Sequence, residues 1–234
     1  QTNKYFFYVT KYNEYWEVNY NLDKYDKKIK FIDHCYNIKY LQDYTSNFKY
    51  YISEYHKLLT HNLTTIKIRA FNQYDLELVK YNQNVKNLDI KSCYNIHNKH
   101  FLEVLDGLKN LRYLSISNSV IDDSVIPIIN NYKLKTLTLE ACVSLNRLDL
   151  LKLENLKNLR IISHQYLDNS TINSLVYSLK KLEKLTLSIT NIDIRTMYAI
   201  SKVGANLKVL DISYPQNVID TVAIFAISKG CLNL

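Results

Sequence analysis

"HNKH" sets His97 and His100 one helical turn apart, a spacing at which two imidazoles can share a metal ion. A metal site needs a third ligand, and none lies nearby in the chain, so the pair reads as solvated residues at the start of a helix. The four cysteines, Cys35, Cys93, Cys142 and Cys231, raise the disulfide question. Cys93 and Cys142 hold the same place in a recurring frame, two strands apart. At about 4.8 Å per strand their separation exceeds what a disulfide tolerates. Free thiols point to a reducing compartment, cytoplasmic or nuclear. The triplets "NLT" at 62 and "NST" at 169 are weak counter-signals in so asparagine-rich a chain. His164 has no evident partner to make it a general base. The three glycines form no loop that could cradle a phosphate. No catalytic, cofactor-binding or metal residue is expected, and the chain is not expected to be an enzyme.

Composition leaves binding as the open possibility. The 234 residues are 47% hydrophobic and 22% charged, with a formal charge of +8, enough apolar content for a continuous core. No run of about 18 apolar residues is present to span a bilayer, so no membrane partner is expected. The positive charge would suit nucleic acid or an acidic partner, but abundant Lys, Asn, Ile and Tyr also explain it as bias.

The frame that positions everything else is L-x-x-L-x-L. It is plain in "NLTTIKIRAF" from 62, "NVKNLDIKSC" from 84, "NLRYLSISNS" from 110, "KLKTLTLEAC" from 133, "NLRIISHQYL" from 158, "KLEKLTLSIT" from 181 and "NLKVLDISYP" from 206. Weaker copies are "YNEYWEVNYN" from 12 and "NIKYLQDYTS" from 37. The first slot falls at Asn13, Ile38, Leu63, Val85, Leu111, Leu134, Leu159, Leu182 and Leu207, and a tenth frame opens at Leu234. Steps of 22 to 27 residues lie in the range of leucine-rich repeats. Only Asn13, Asp43 and His164 break the apolar slots.

Alternation at the later slots predicts a strand buried on one face and parallel to its neighbours. Helical spacing follows each strand, as in Phe101, Leu102, Leu105 and Leu108 or Ile172, Leu175, Val176 and Leu179. Caps are expected at Asn98, Asp122 or Asp123, Asn169 and Asp193, with Pro127 in a first helical turn. Gly107, Gly204 and Gly230 are expected as left-handed helix ends. One strand and one helix per repeat, stacked right-handedly, make an α/β solenoid curved into a horseshoe, with parallel strands on the concave face and helices on the convex face. The domain division is 1–12, an N-terminal segment, and 13–234, a repeat domain of about nine repeats that is expected to be truncated at its C-terminus, leaving an exposed apolar end.

"NVKNLDIKSCYNIHNKHFLEVLDGLKN" resembles the cysteine-containing leucine-rich repeat of F-box/leucine-rich-repeat proteins, a branch of the ribonuclease-inhibitor-like superfamily. Cys93 and Cys142 stand in its cysteine slot, with Ser119 and Thr190 in their place elsewhere. "HCYNIKYL" at 34 and "GCLNL" at 230 are similar to the family's Cys-Pro-Asn-Leu junction without its proline. Tyr15 and Trp16 resemble the place where an F-box tail runs into the first repeat; Trp16 also fits simply as a core residue. The resemblance implies the substrate-recognition part of a cullin–RING ubiquitin ligase, within the ubiquitin-like conjugation pathway, with a ligase adaptor as partner if an F-box lies upstream. The alternatives are a stand-alone regulator or inhibitor module and, behind both, a nucleic-acid binder.

Information for binding must lie between the core slots. Counting two, four and six places from the first slot puts Ser115, Ser117, Thr138, Ile161, Ser163 and Gln165, among others, on the solvent side. It also selects the expected partner-binding residues Tyr15, Tyr40, Tyr44, Lys67, Arg69, Asp89, Lys91, Tyr113 and Glu140. Tyrosine and arginine are the types that most often dominate interface energetics. Lys67, Arg69 and Lys91 on neighbouring strands would form a basic patch suited to an acidic or phosphorylated segment of a protein.

Overall fold

Where β-branched and leucine residues alternate with polar ones, strands form, and where the apolar spacing lengthens to three and four, helices follow. A computed structural model of the chain describes residues 8–12, 15–19, 40–43, 63–68, 76, 79–80, 82–93, 96–164, 167–188, 192–213 and 221–234, the first three stretches as backbone only. Two compact units result, residues 1–111 and 112–234.

In the first unit, β1 (Tyr8–Tyr12) and β2 (Tyr15–Asn19) form an antiparallel hairpin, with Trp16 opposite Lys11. The first frame therefore does not join the parallel strands as expected; a short link lets its strand fold back on the preceding one instead. Three parallel strands follow, β3 (Tyr40–Asp43), β4 (Thr65–Ile68) and β5 (Asn87–Cys93). Leu63, Ile66, Val85, Leu88 and Ile90 fill the core. Helix α1 (Asn98–Asp106) buries Phe101, Val104 and Leu105.

The second unit is an α/β layer pair. Its strands β6 (Tyr113–Ser119), β7 (Thr136–Cys142), β8 (Asn158–Ile162), β9 (Lys184–Ser188) and β10 (Val209–Ile212) run parallel in chain order. Between them lie helices α2 (Ile126–Asn130), α3 (Asn169–Ser178) and α4 (Ile194–Val203), and α5 (Thr221–Gly230) follows β10. Between β7 and β8 only a 3-10 turn, Leu148–Leu150, forms.

The register departs from the expected frame at one repeat. Leu137 pairs with Leu159 and Leu139 with Ile161, so Leu159 fills the second slot and Leu156 the first. The buried ladder is then Leu114, Leu137, Leu159, Leu185 beside Ile116, Leu139, Ile161, Leu187, all nearly inaccessible. His164 is no longer a broken core slot. It occupies the place held by Cys142 one repeat earlier, and it is buried.

Backbone strain also lies elsewhere than expected. None of the glycines has positive φ; Ser92, Asn118, Ala141 and Ser163 do, at 55°, 52°, 51° and 56°. Each precedes the cysteine slot of its repeat, where the chain turns off the strand. Gly230 has a different reason to be glycine. A Cβ there would collide with the Ser201 carbonyl of α4, while at Gly107 it would meet only ordinary contact with Val104. Gly230→Ala is expected to cost about 1–3 kcal/mol by overpacking, and Gly107→Ala to be neutral or stabilising by about 0.5 kcal/mol. Urea midpoints of the two variants check this.

Helix starts are capped mostly by aspartates. Asp168, not Asn169, accepts from the Thr171 amide at 2.7 Å, and Asp193 from that of Thr196 at 3.0 Å. Asp122 accepts from Ser124 at 2.9 Å, and Asp123 from the amides of Asn146 and Arg147, which ties neighbouring repeats together. Helix α1 is capped by His97 without a side-chain bond, so Asn98 is not its cap. Pro127 does sit in the first turn of α2. No described helix is long and apolar enough to cross a membrane.

Candidate binding surface

Since alternate strand residues point to opposite sides, burying the apolar slots leaves a second face whose side chains form rows across the strands. In the first unit, Tyr40, Thr65 and Asn87 make one row and Gln42, Lys67 and Asp89 the next. Asn87 donates to the Thr65 hydroxyl at 2.9 Å. Lys67 is the register partner of Asp89, so this row carries both signs rather than the uniform positive patch expected. Lys91 lies farther along β5, half-buried. One carboxylate oxygen of Asp89 is buried and accepts no hydrogen bond among the described residues. Tyr15 belongs to the hairpin, opposite Tyr12. Arg69 and Tyr44 lie outside the described residues.

In the second unit the rows are Tyr113, Thr136, Asn158, Lys184, Val209; then Ser115, Thr138, Arg160, Thr186, Asp211; then Ser117, Glu140, Ile162, Ser188. Tyr113 and Glu140 are half-buried. The Ser117 hydroxyl donates to Glu140 at 3.1 Å, and Asn158 to the Thr136 hydroxyl at 3.1 Å. Ser115, Ser117 and Thr138 were expected to meet solvent, yet all are buried; they are short side chains with longer neighbours in their rows. On β8 the expected face residues Ile161, Ser163 and Gln165 are replaced by Asn158, Arg160 and Ile162, because the register is shifted. Ile161 is core, Ser163 is in the turn, and Gln165 lies outside the described residues.

Arg160 is the open-face side chain that the shifted frame concealed. It is exposed, as is Lys184 on the next strand. Neither has an ion pair or hydrogen bond among the described residues. Leu156, two slots before it and matching L-x-x-L-x-I without exception in "LKNLRI", was the signal that could have revealed it.

At the N-terminal edge of these strands, the residue after each first slot is charged: Arg112, Lys135, Lys157, Glu183 and Lys208. Glu183 accepts from Lys157 and, at 2.9 Å, from Lys208. The Lys157 and Lys208 ammonium groups hold its carboxyl down to about 2, so it stays ionised through any physiological range. At the opposite edge stand Asp122, Asp123, Asp168 and Asp193. The Thr171 amide and the Ser170 hydroxyl lower the carboxyl of Asp168 below its ordinary value.

For metals, His97 and His100 face each other edge-on with ring centres 6.1 Å apart, and among the described residues no three His, Cys, Asp or Glu groups gather to hold an ion. Cys93, Cys142 and Cys231 are buried thiols. The Cys142 thiol lies 3.5 Å from the Ile116 carbonyl, and burial pushes the Cys231 thiol up. Among the described residues His164 is the one strongly perturbed interior group. Its Nε2 is buried without a partner among the described residues, and desolvation lowers its pKa to about 4. The chain matches no protein-family model and no curated protein sequence.

Proposed function

We propose that the chain is a leucine-rich-repeat solenoid that binds a protein on the open face of its strands, as the substrate-recognition part of an F-box-type ubiquitin ligase. The observation that carries the binding reading is chemical. Apolar slots are consumed by the core, while among the described residues the open-face cations Arg160 and Lys184 of the second unit have no ion pair or hydrogen bond, and in the first unit one oxygen of Asp89 is buried without one. An unpaired buried oxygen such as that of Asp89 is costly until a partner satisfies it, and exposed cations on such a face are available to an incoming carboxylate. In the first unit Tyr15, Tyr40, Tyr44, Lys67, Arg69, Asp89 and Lys91 are the proposed contacts, and in the second, taken by itself, Tyr113, Glu140, Arg160 and Lys184. The ligase assignment rests on the resemblance of the repeats and their junctions, with Cys93 and Cys142 in the cysteine slot, each directly after a residue of positive φ.

Crosslinking the protein in its own cells, followed by mass spectrometry of what it carries, tests the assignment. Recovery of a cullin–RING adaptor together with a client is the expected result. A stable protein complex lacking every ligase component would make the chain a stand-alone regulator instead.

A further inference from the structure

Charge in the second unit is sorted along the strands. The N-terminal edge carries the cations Lys135, Lys157 and Lys208, and Lys184 and Arg160 extend them onto the open face. The four aspartates collect at the other edge, at the helix starts, with Arg147, paired to Asp149, and Arg195 as the cations among them. Adjacent strands lie about 4.8 Å apart, so these cations form one surface a few strands wide. Within it Arg160 stands level with Thr138 and Thr186, and Lys184 level with Asn158. A guanidinium flanked by hydroxyl-bearing residues can meet a carboxylate with two parallel hydrogen bonds.

We propose that this edge of β7 to β10 docks an acidic segment of a protein partner, with Arg160 and Lys184 as its main contacts. The proposal rests on the open face being a protein-binding surface, and it needs no link to ubiquitin transfer. Nucleic acid fits less well. The open-face positions of β7, β8 and β9 hold no aromatic side chain on which a base could stack, and Glu140 and Asp211 would oppose a phosphate chain running on across the face. A short run of carboxylates can stop before them.

Glu183 acts here as an internal competitor. By holding Lys157 and Lys208 it supplies the only carboxylate these lysines meet among the described residues, and an incoming acidic segment must share them with it. Removing its charge therefore strengthens docking, an outcome that unfolding cannot imitate.

The test is fluorescence anisotropy of a labelled oligoglutamate peptide against the full chain at physiological salt. Arg160→Glu with Lys184→Glu is expected to weaken binding by about tenfold or more, as reversal of paired interface charges does. Glu183→Gln is expected to tighten it several-fold, and Lys202→Glu, an exposed change on α4, to leave it unchanged. Equal weakening by Lys202→Glu would reduce the effect to net charge and overturn the proposal. So would tighter binding of a labelled oligothymidylate, with the steep salt dependence of counterion release. If the peptide does not bind wild type while photocrosslinks to a protein still form from the open face, the acidic-segment proposal fails and the binding reading stands.

Discussion

Lowering the pH from 7 to 5 is expected to remove about 2 kcal/mol of stability through His164 alone. Its imidazole is neutral and buried in the fold, with a pKa of about 4, against about 6.5 in an unfolded chain. The folded pKa is the depressed one for a base, so the unfolded state binds the extra proton first. Nothing is lost above about pH 6.5; below it stability falls, and the loss is complete under about pH 4, where both states are protonated. His164→Cys restores the residue type that the previous repeat carries at Cys142. The variant should lose about 2 kcal/mol less than wild type between the two pH values in urea titrations. Parallel losses in the two proteins would mean that His164 is not desolvated.

Truncating Ile161 to alanine is expected to cost about 2–5 kcal/mol, because its side chain is fully buried in the slot ladder beside Leu139 and Leu187. The same change at Ile162, half-buried on the open face, should cost less than about 1 kcal/mol. The pair separates two readings of one stretch. In the frame that begins at Leu159, Ile162 is core and Ile161 is surface; in the frame that begins at Leu156 the roles reverse. Chemical denaturation of the two variants decides between them.

That stretch also shows what the sequence could and could not reveal. Parallel strands with alternating burial were legible wherever one apolar pattern had no rival, as at Leu88 and Ile90 or Leu185 and Leu187. In "NLKNLRIIS" four leucine or isoleucine side chains, Leu156, Leu159, Ile161 and Ile162, stand close enough for two registers, and apolar spacing cannot choose between them. Pairing with β7 chooses, since only one register sets Leu159 beside Leu137. The consequence reached the site: with the wrong register Arg160 is not on the open face. The left-handed turns were hidden for another reason. Glycine is the usual signal for positive φ, yet here Ser, Asn and Ala adopt it, and the glycine at 230 answers to a neighbouring helix that local sequence does not show. The hairpin of β1 and β2 depends on a strand before the first frame, which repeat spacing does not address.

The central claim is that a partner protein sits on the open face of the strands. A photoreactive phenylalanine analogue at Thr186, on that face, and at Tyr177, exposed on α3, tests it in the native cell. Crosslinks to a protein from Thr186 and none from Tyr177 are the predicted result. Crosslinks from Tyr177 alone would contradict the account.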